Sequence, residues 1–301
     1  MNNKSSTIKK TVVLFLISTC TVFAQREVQY QQYLMNPMAI NPAMAGSSET
    51  FRLTAAFRRQ WIQNISGLPL SQTFSMDGRV GSNEDKPAAR QGFFGLGLQG
   101  ILDRTSLTNN SGVFGNAAYH YQIDDNQRIS FGITAGVNVL PAFDIGSGLV
   151  QNKAKGAAGA GINYQNDIFW IGVSMPEIIG NNIGNISGFA TIIYPKPIFV
   201  YGGLQIQAND DIIFKPSVLV SDKSEYHLNL QAVYQNKITA TVAYRSLKYV
   251  NREGFLYGLL GYNINKNITA NYSYSSKMIE NLGNQGGIHE LAFTFIPNPK
   301  N

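Results

Sequence analysis

From Phe51 onward, apolar and polar residues alternate along most of the chain with a period of two, the mark of strands that show unlike faces to unlike surroundings. The stretch from 287 to 295 is the clearest: His289, Leu291, Phe293 and Phe295 fall on one side, Glu290, Ala292 and Thr294 on the other. In the first run Phe51, Leu53, Ala55, Phe57 and Trp61 oppose Arg52, Thr54, Ala56, Arg58 and Gln60, and Arg59 interrupts the apolar side, which places it near a membrane boundary. Ile129, Phe131, Ile133, Ala135, Val137 and Val139 likewise oppose Arg128, Ser130, Gly132, Thr134, Gly136 and Asn138. Counting such runs predicts about 14 strands of roughly nine to eleven residues, long enough to cross a membrane when tilted.

The links between runs carry a second pattern. Short polar connections at 123–126, 165–167, 208–211, 235–236 and 263–266 have hairpin chemistry, whereas the alternate ones at 140–155, 176–196, 246–253 and 276–286 are longer. Short turns on one side and long loops on the other predict an all-β fold, a single antiparallel transmembrane β-barrel with its short turns and both chain ends in the periplasm. The link at 81–90 departs from this, being long and charged with Glu84, Asp85, Lys86 and Arg90, and is expected to protrude into the periplasm. A soluble β-sandwich also alternates. It accounts poorly for aromatic faces without charged relief and for opposite faces made of hydroxyls and amides.

Composition agrees with the membrane reading. Charged residues are 14% of the 301-residue chain, against about 25% in soluble domains. Lys4, Lys9 and Lys10 precede an apolar run from Val12 to Ile17 and small residues up to Ala24, the layout of an export signal with Gln25 as the mature start. Removing residues 1–24 takes away three lysines and no acids and lowers the formal charge from +6 to +3. No basic stripe survives to bind nucleic acid. The sole cysteine, Cys20, lies inside the signal, in a weak likeness to a lipoprotein box.

Four regions follow: a signal peptide at 1–24, an N-terminal periplasmic segment at 25–50, the barrel at 51–296 and a tail at 297–301. Two Asn-Pro pairs, Asn36-Pro37 and Asn41-Pro42, forbid a continuous helix through the second region. Its Met, Ile, Leu and Tyr residues predict a specific segment against or in the barrel mouth, with an apolar linker packed on itself as the competing reading.

Residue chemistry gives no enzyme. His120, His227 and His289 each stand alone on a strand without neighbours at metal spacing, and no nucleophile elbow, phosphate loop or dinucleotide fingerprint occurs. No catalytic, metal or cofactor site is expected. Arg58, Arg245 and Glu290 share the polar parity, and closure of first strand on last brings Arg58 and Glu290 together in the lumen, as an ion pair that helps occlude the pore or as separate solvated charges. The segment with Tyr33, Asn36, Pro37, Asn41, Pro42 and Gly46, together with Glu84, Asp85 and Lys86, is the expected periplasmic docking surface, and the long loops form an external one.

The order and spacing of several fragments resemble the PorP/SprF family of outer-membrane proteins of the type IX secretion and gliding machinery. They are Gln32-Tyr33 with Asn36-Pro37, then Ile40-Asn41-Pro42-Ala43 with Ala45-Gly46, Arg59-Gln60-Trp61, the run Lys215 to Val220, Ala243-Tyr244-Arg245 and Ile288-His289-Glu290-Leu291. The resemblance covers essentially the whole mature chain, which departs from it in carrying six residues after Phe295. It implies a barrel in a Gram-negative outer membrane that contacts lipid, docks to periplasmic secretion components and assists secretion or surface retention of adhesin-like proteins. A passive porin or solute channel is the alternative.

Overall fold

The computed structural model describes residues 33–48, 50–60, 70–81, 91–104, 109–143, 150–179, 182–183, 192–193, 196–222, 225–246, 254–276 and 287–297. They form strands β1 (Arg52–Gln60), β2 (Leu70–Val80), β3 (Gly92–Arg104), β4 (Asn109–Gln122), β5 (Arg128–Phe143), β6 (Val150–Gln165) and β7 (Phe169–Ile179). Two short strands follow, β8 (Asn182–Ile183) and β9 (Ile192–Ile193), and then β10 (Phe199–Leu204), β11 (Ile206–Gln207), β12 (Ile212–Ser221) and β13 (Tyr226–Tyr234). The series ends with β14 (Ile238–Ser246), β15 (Gly254–Asn263), β16 (Ile268–Ser275) and β17 (Ile288–Phe295).

Each strand pairs antiparallel with the next around the wall, β7 passes directly to β10 and β10 to β12, and β17 returns to β1. The result is a closed 14-strand antiparallel barrel, with β11 as an extra strand in its wall and β8–β9 as a separate ladder. Closure leaves no open edge in the wall, which is what hydrocarbon demands of a sheet. The stave made of β10 and β11 is interrupted at Gln205, opposite Lys215 and beside Pro216, which has no N–H to give to a neighbour.

The two faces are inverted relative to a soluble protein. Phe57, Phe94, Ile133, Val242 and Leu256 face outward and exposed, while Thr54, Ser71, Gln99, Asn116, Asn163, Asn229 and Ser273 are buried on the inner face. Exposed aliphatic belts and buried amides fit lipid outside and a packed polar lumen inside, and exclude two sheets around a dry apolar core. Across the closing seam Thr54 Oγ1 and Thr294 Oγ1 share a hydrogen bond at 3.0 Å.

Turn chemistry holds the short links as the sequence suggests. The side-chain oxygens of Asn166, Asn209 and Asn265 each accept two backbone N–H groups at the start of the following strand. Gln235 and Asn236 both adopt positive φ (49° and 50°), the geometry of a two-residue hairpin turn. One difference from the sequence reading concerns the expected loop at 140–155. It is mostly strand, with Leu140 opposite Lys153 and Phe143 opposite Val150, because β5 and β6 continue their pairing past the point where the apolar alternation fades. The tip of that hairpin, the link at 81–90 beyond Gly81, and most of the other long loops lie outside the described residues.

Candidate functional site: the filled lumen

The Asn-Pro segment is folded inside the barrel. Pro37 and Pro42 each open a 3₁₀ turn, Pro37–Ala39 and Pro42–Met44, where their fixed φ is suited and their missing N–H costs nothing. Asn41 caps the second turn, its Oδ1 accepting from Ala43 N at 2.9 Å. Gly46 ends the segment at φ +69°, a conformation other residues rarely adopt, and its N–H donates to Asp77 Oδ2 at 2.9 Å.

Glycines of the wall make room for this segment. A Cβ at Gly132 would sit on Ala43 N and the Pro42 carbonyl carbon, one at Gly161 on Asn41 Oδ1, and one at Gly95 on the Ala45 carbonyl. At Gly97 it would lie 2.6 Å from Met38 Sδ. Backbone of the plug thus lies directly against backbone of β3 and β5, and the Asn41 amide against β6, an approach only glycine permits.

Polar wall residues then satisfy the plug. Asn41 Nδ2 donates to Ile162 O and to Tyr201 Oη, both at 3.0 Å, and the Tyr201 hydroxyl donates onward to Asn163 Oδ1 at 2.8 Å. Ser174 Oγ donates to Ile40 O, Asn36 Nδ2 to Gln99 Oε1 at 3.1 Å, and Arg128 Nη2 to Ser47 O at 2.9 Å. His120 bridges Ala45 O through Nε2 and Ser130 Oγ through Nδ1, at 2.8 and 2.7 Å. Its ring stacks on Phe93, which Arg79 and Arg128 flank.

The far end of the plug reaches the opposite wall. Tyr33 and Ile40 pack with Phe199, Tyr201 and Leu219, and Leu34 and Met35 cover Ala243, Tyr257 and Leu259. Tyr33 Oη accepts from Asn229 Nδ2 at 2.6 Å. Burial pushes the Tyr33 phenol above its usual value, partly offset by the Arg245 charge and the Asn229 bond. The segment therefore spans the lumen, from β2–β4 at Gly46 to β13–β15 at Tyr33–Met35.

Of the residues singled out from sequence, Arg58 and Glu290 are direct cross-strand partners at the seam, both buried on the lumen side. The Arg245 guanidinium lies 4.1 Å over the Tyr257 ring, and the charges of Arg245, Glu290 and Arg58 all reach that phenol. Tyr33, Asn41, Pro42 and Gly46 are buried and Asn36 and Pro37 half-buried, all six packed inside the barrel. Their apolar neighbours and unpaired backbone find partners in the wall that a periplasmic position would not offer. Glu84, Asp85 and Lys86 lie outside the described residues. Sequence reasoning missed Asp77 and Tyr201, which meet the plug, and Asn163, which holds Tyr201, and it gave His120 no role; lumen parity marks Asp77, His120 and Asn163 as inward, but only register shows what each one meets. Among the described residues no three His, Cys, Asp or Glu side chains stand close enough to hold a metal ion.

The sequence profile of a family described as "Type IX secretion system membrane protein PorP/SprF" matches residues 22–295. The chain belongs to the PorP/SprF family. No curated protein is a significant match. Among solved structures, this PorP/SprF chain is similar to the Pseudomonas putida toluene transporter TodX, at 9% identity and a TM-score of 0.50, over 87% of this chain and 93% of that one. It is also similar to Omp33 of Acinetobacter baumannii, at 10% identity and a TM-score of 0.49, over 82% of this chain and 98% of that one. At such identities TodX speaks for barrel architecture alone, and Omp33 adds nothing to it. Family and fold are those of secretion-system membrane proteins and outer-membrane barrels, not of enzymes.

Proposed function

We propose that this PorP/SprF protein is an outer-membrane component of the type IX secretion and gliding machinery that assists secretion or surface anchoring of adhesin-like proteins by docking protein partners. The observation that carries the reading is the plug: a lumen spanned by its own chain, with bonds to opposite walls, suits a rigid docking platform better than a conduit. Export by the signal at 1–24 would deliver the chain, and the mature protein would run from residue 25, with the barrel at 51–296 and a tail at 297–301. Periplasmic secretion components would meet the link with Glu84, Asp85 and Lys86 and the short turns; cargo would meet the outer loops. Since Tyr33 to Gly46 are occupied inside the barrel, their part in docking is to brace the wall. An ion pair between Arg58 and Glu290, with Arg245 nearby, would add a closed layer above the plug and hold the seam in register.

A passive channel is the second reading, supported by the hydroxyl and amide lining of the lumen and by the likeness to a barrel named as a toluene transporter. Purified protein in a planar bilayer separates the two. The docking reading expects no steady conductance and co-purification with periplasmic secretion lipoproteins; a large stable conductance, or adhesin export unchanged after gene deletion, rejects it.

A further inference from the structure

One row of outward-facing residues runs across six neighbouring strands: Tyr274 on β16 opposite His289 on β17, His289 opposite Arg59 on β1, Arg59 opposite Leu70 on β2, Leu70 opposite Arg104 on β3, and Arg104 opposite Asn109 on β4. Arg59 and Arg104 are exposed and make no hydrogen bond or ion pair with any described residue. Neighbouring strands lie about 4.8 Å apart, so the two guanidinium stems start about 10 Å from one another with only Leu70 between. His289 is held by a hydrogen bond of 2.7 Å between its Nδ1 and Tyr272 Oη and by the edge of Tyr274, so that Nδ1 is occupied within this outward row.

Acidic charge around this row is confined to the inner face. The acids of β16, β17 and β1–β4 are Glu290, Asp77 and Asp103, and all three are buried on the lumen side. No carboxylate of these strands is available on the outer face to pair with the arginines. Other acids on the described part of the same rim lie elsewhere, at Glu177, buried near the end of β7, and at Asp222 and Glu225 beside the start of β13. The row stands at the end opposite the short polar turns, where the apolar belt gives way to Tyr272 and Tyr274, as at a lipid headgroup boundary.

We propose that Arg59 and Arg104, with His289 beside them, form a binding site for the phosphate of an outer-leaflet glycolipid of the lipid A class. Guanidinium groups bind phosphate oxygens in pairs of parallel hydrogen bonds, and two of them side by side suit a doubly charged headgroup while Leu70 and the belt below take its acyl chains. A lipid is the occupant because these residues lie on the outward face of the wall, at the membrane boundary.

The test uses the whole barrel in detergent, titrated with diphosphoryl lipid A and with dephosphorylated lipid A and read by native mass spectrometry, with heat-modifiable gel migration to verify the folded barrel. The expected result is a preference of about tenfold or more for the phosphorylated lipid, lost in R59Q/R104Q and largely kept in R59K/R104K. Should the double variant not fold, R59Q and R104Q singly are each expected to lose about threefold, and a preference unchanged in both would count against the site equally. Equal binding of both lipids, an unchanged preference in the Gln variants, or complete displacement by millimolar inorganic phosphate would overturn the proposal, the last by assigning the site to free phosphate.

Discussion

His120 and Ala45 are joined across 75 residues of sequence by a hydrogen bond of 2.8 Å from the imidazole Nε2 to the backbone carbonyl. With Nε2 donating there, Nδ1 is left to accept from Ser130. The ring is fully buried, so the plug's last turn rests on a contact that water cannot replace.

Substituting His120 with Ala leaves the Ala45 carbonyl and the Ser130 hydroxyl short of partners, and the cost is about 1–3 kcal/mol at the plug. A cysteine placed at Ala45 should react slowly with a small thiol reagent in the parent barrel and at least several times faster with His120→Ala, at unchanged β-sheet content by circular dichroism.

Gly132 distinguishes a filled lumen from an open one. Gly132→Val should expel residues 42–43 from their slot and give measurable conductance in a planar bilayer, whereas Gly258→Ala, whose Cβ meets nothing within 4 Å, should behave as wild type. The plug as blocking element would be rejected by a closed Gly132→Val barrel in which cysteine labelling shows residues 42–43 displaced.

Glu225, just before β13 at the outer rim, has its carboxyl pushed up to about 7, first by burial and then by the nearby Asp222 charge. An acid whose pKa is raised on folding favours the folded form while protonated. Its contribution is complete below the unfolded value near 4.5 and is lost as pH rises through about 7. Hydrogen exchange at Ser221, whose N–H donates to Glu225 O, should therefore speed up between pH 6 and 8 beyond the intrinsic rate change, and Glu225→Gln should remove the excess.

At the seam, the proposed ion pair makes single and double changes unequal. Glu290→Gln or Arg58→Met alone leaves a buried charge behind, at about 3 kcal/mol, while Arg58→Met with Glu290→Met should cost much less than the sum. Thermal unfolding followed by gel migration measures both. Additive losses would mean that the two charges act separately.

Most of the wall is legible without coordinates because a strand's two faces are set by local parity. The apolar side of the first and last runs points outward, and Asn166, Asn209 and Asn265 mark their turns by chemistry that acts over two or three residues. The limits of β5 and β6 were less legible, since residues 140–143 and 150–155 lose the apolar alternation that signals lipid while still pairing with each other. The seam partners Arg58 and Glu290 could be anticipated, because closure fixes which strands meet and parity fixes which side chains share a face.

What the sequence by itself determined is the barrel: periodicity of two, turn residues at short intervals and a shortage of charge together require lipid outside and a polar lumen inside. Where the Asn-Pro segment goes was decided only by the tertiary structure. Its apolar side chains and two Asn-Pro turns point to a segment against or in the barrel mouth, or to a linker packed on itself, and go no further, for burial is a property of what surrounds a residue. The lumen is chosen because Gly95, Gly97, Gly132 and Gly161, spread over three strands, come into line and leave a slot of plug shape, with Asp77, His120 and Tyr201 supplying partners for it. That complementarity exists only after the wall has closed.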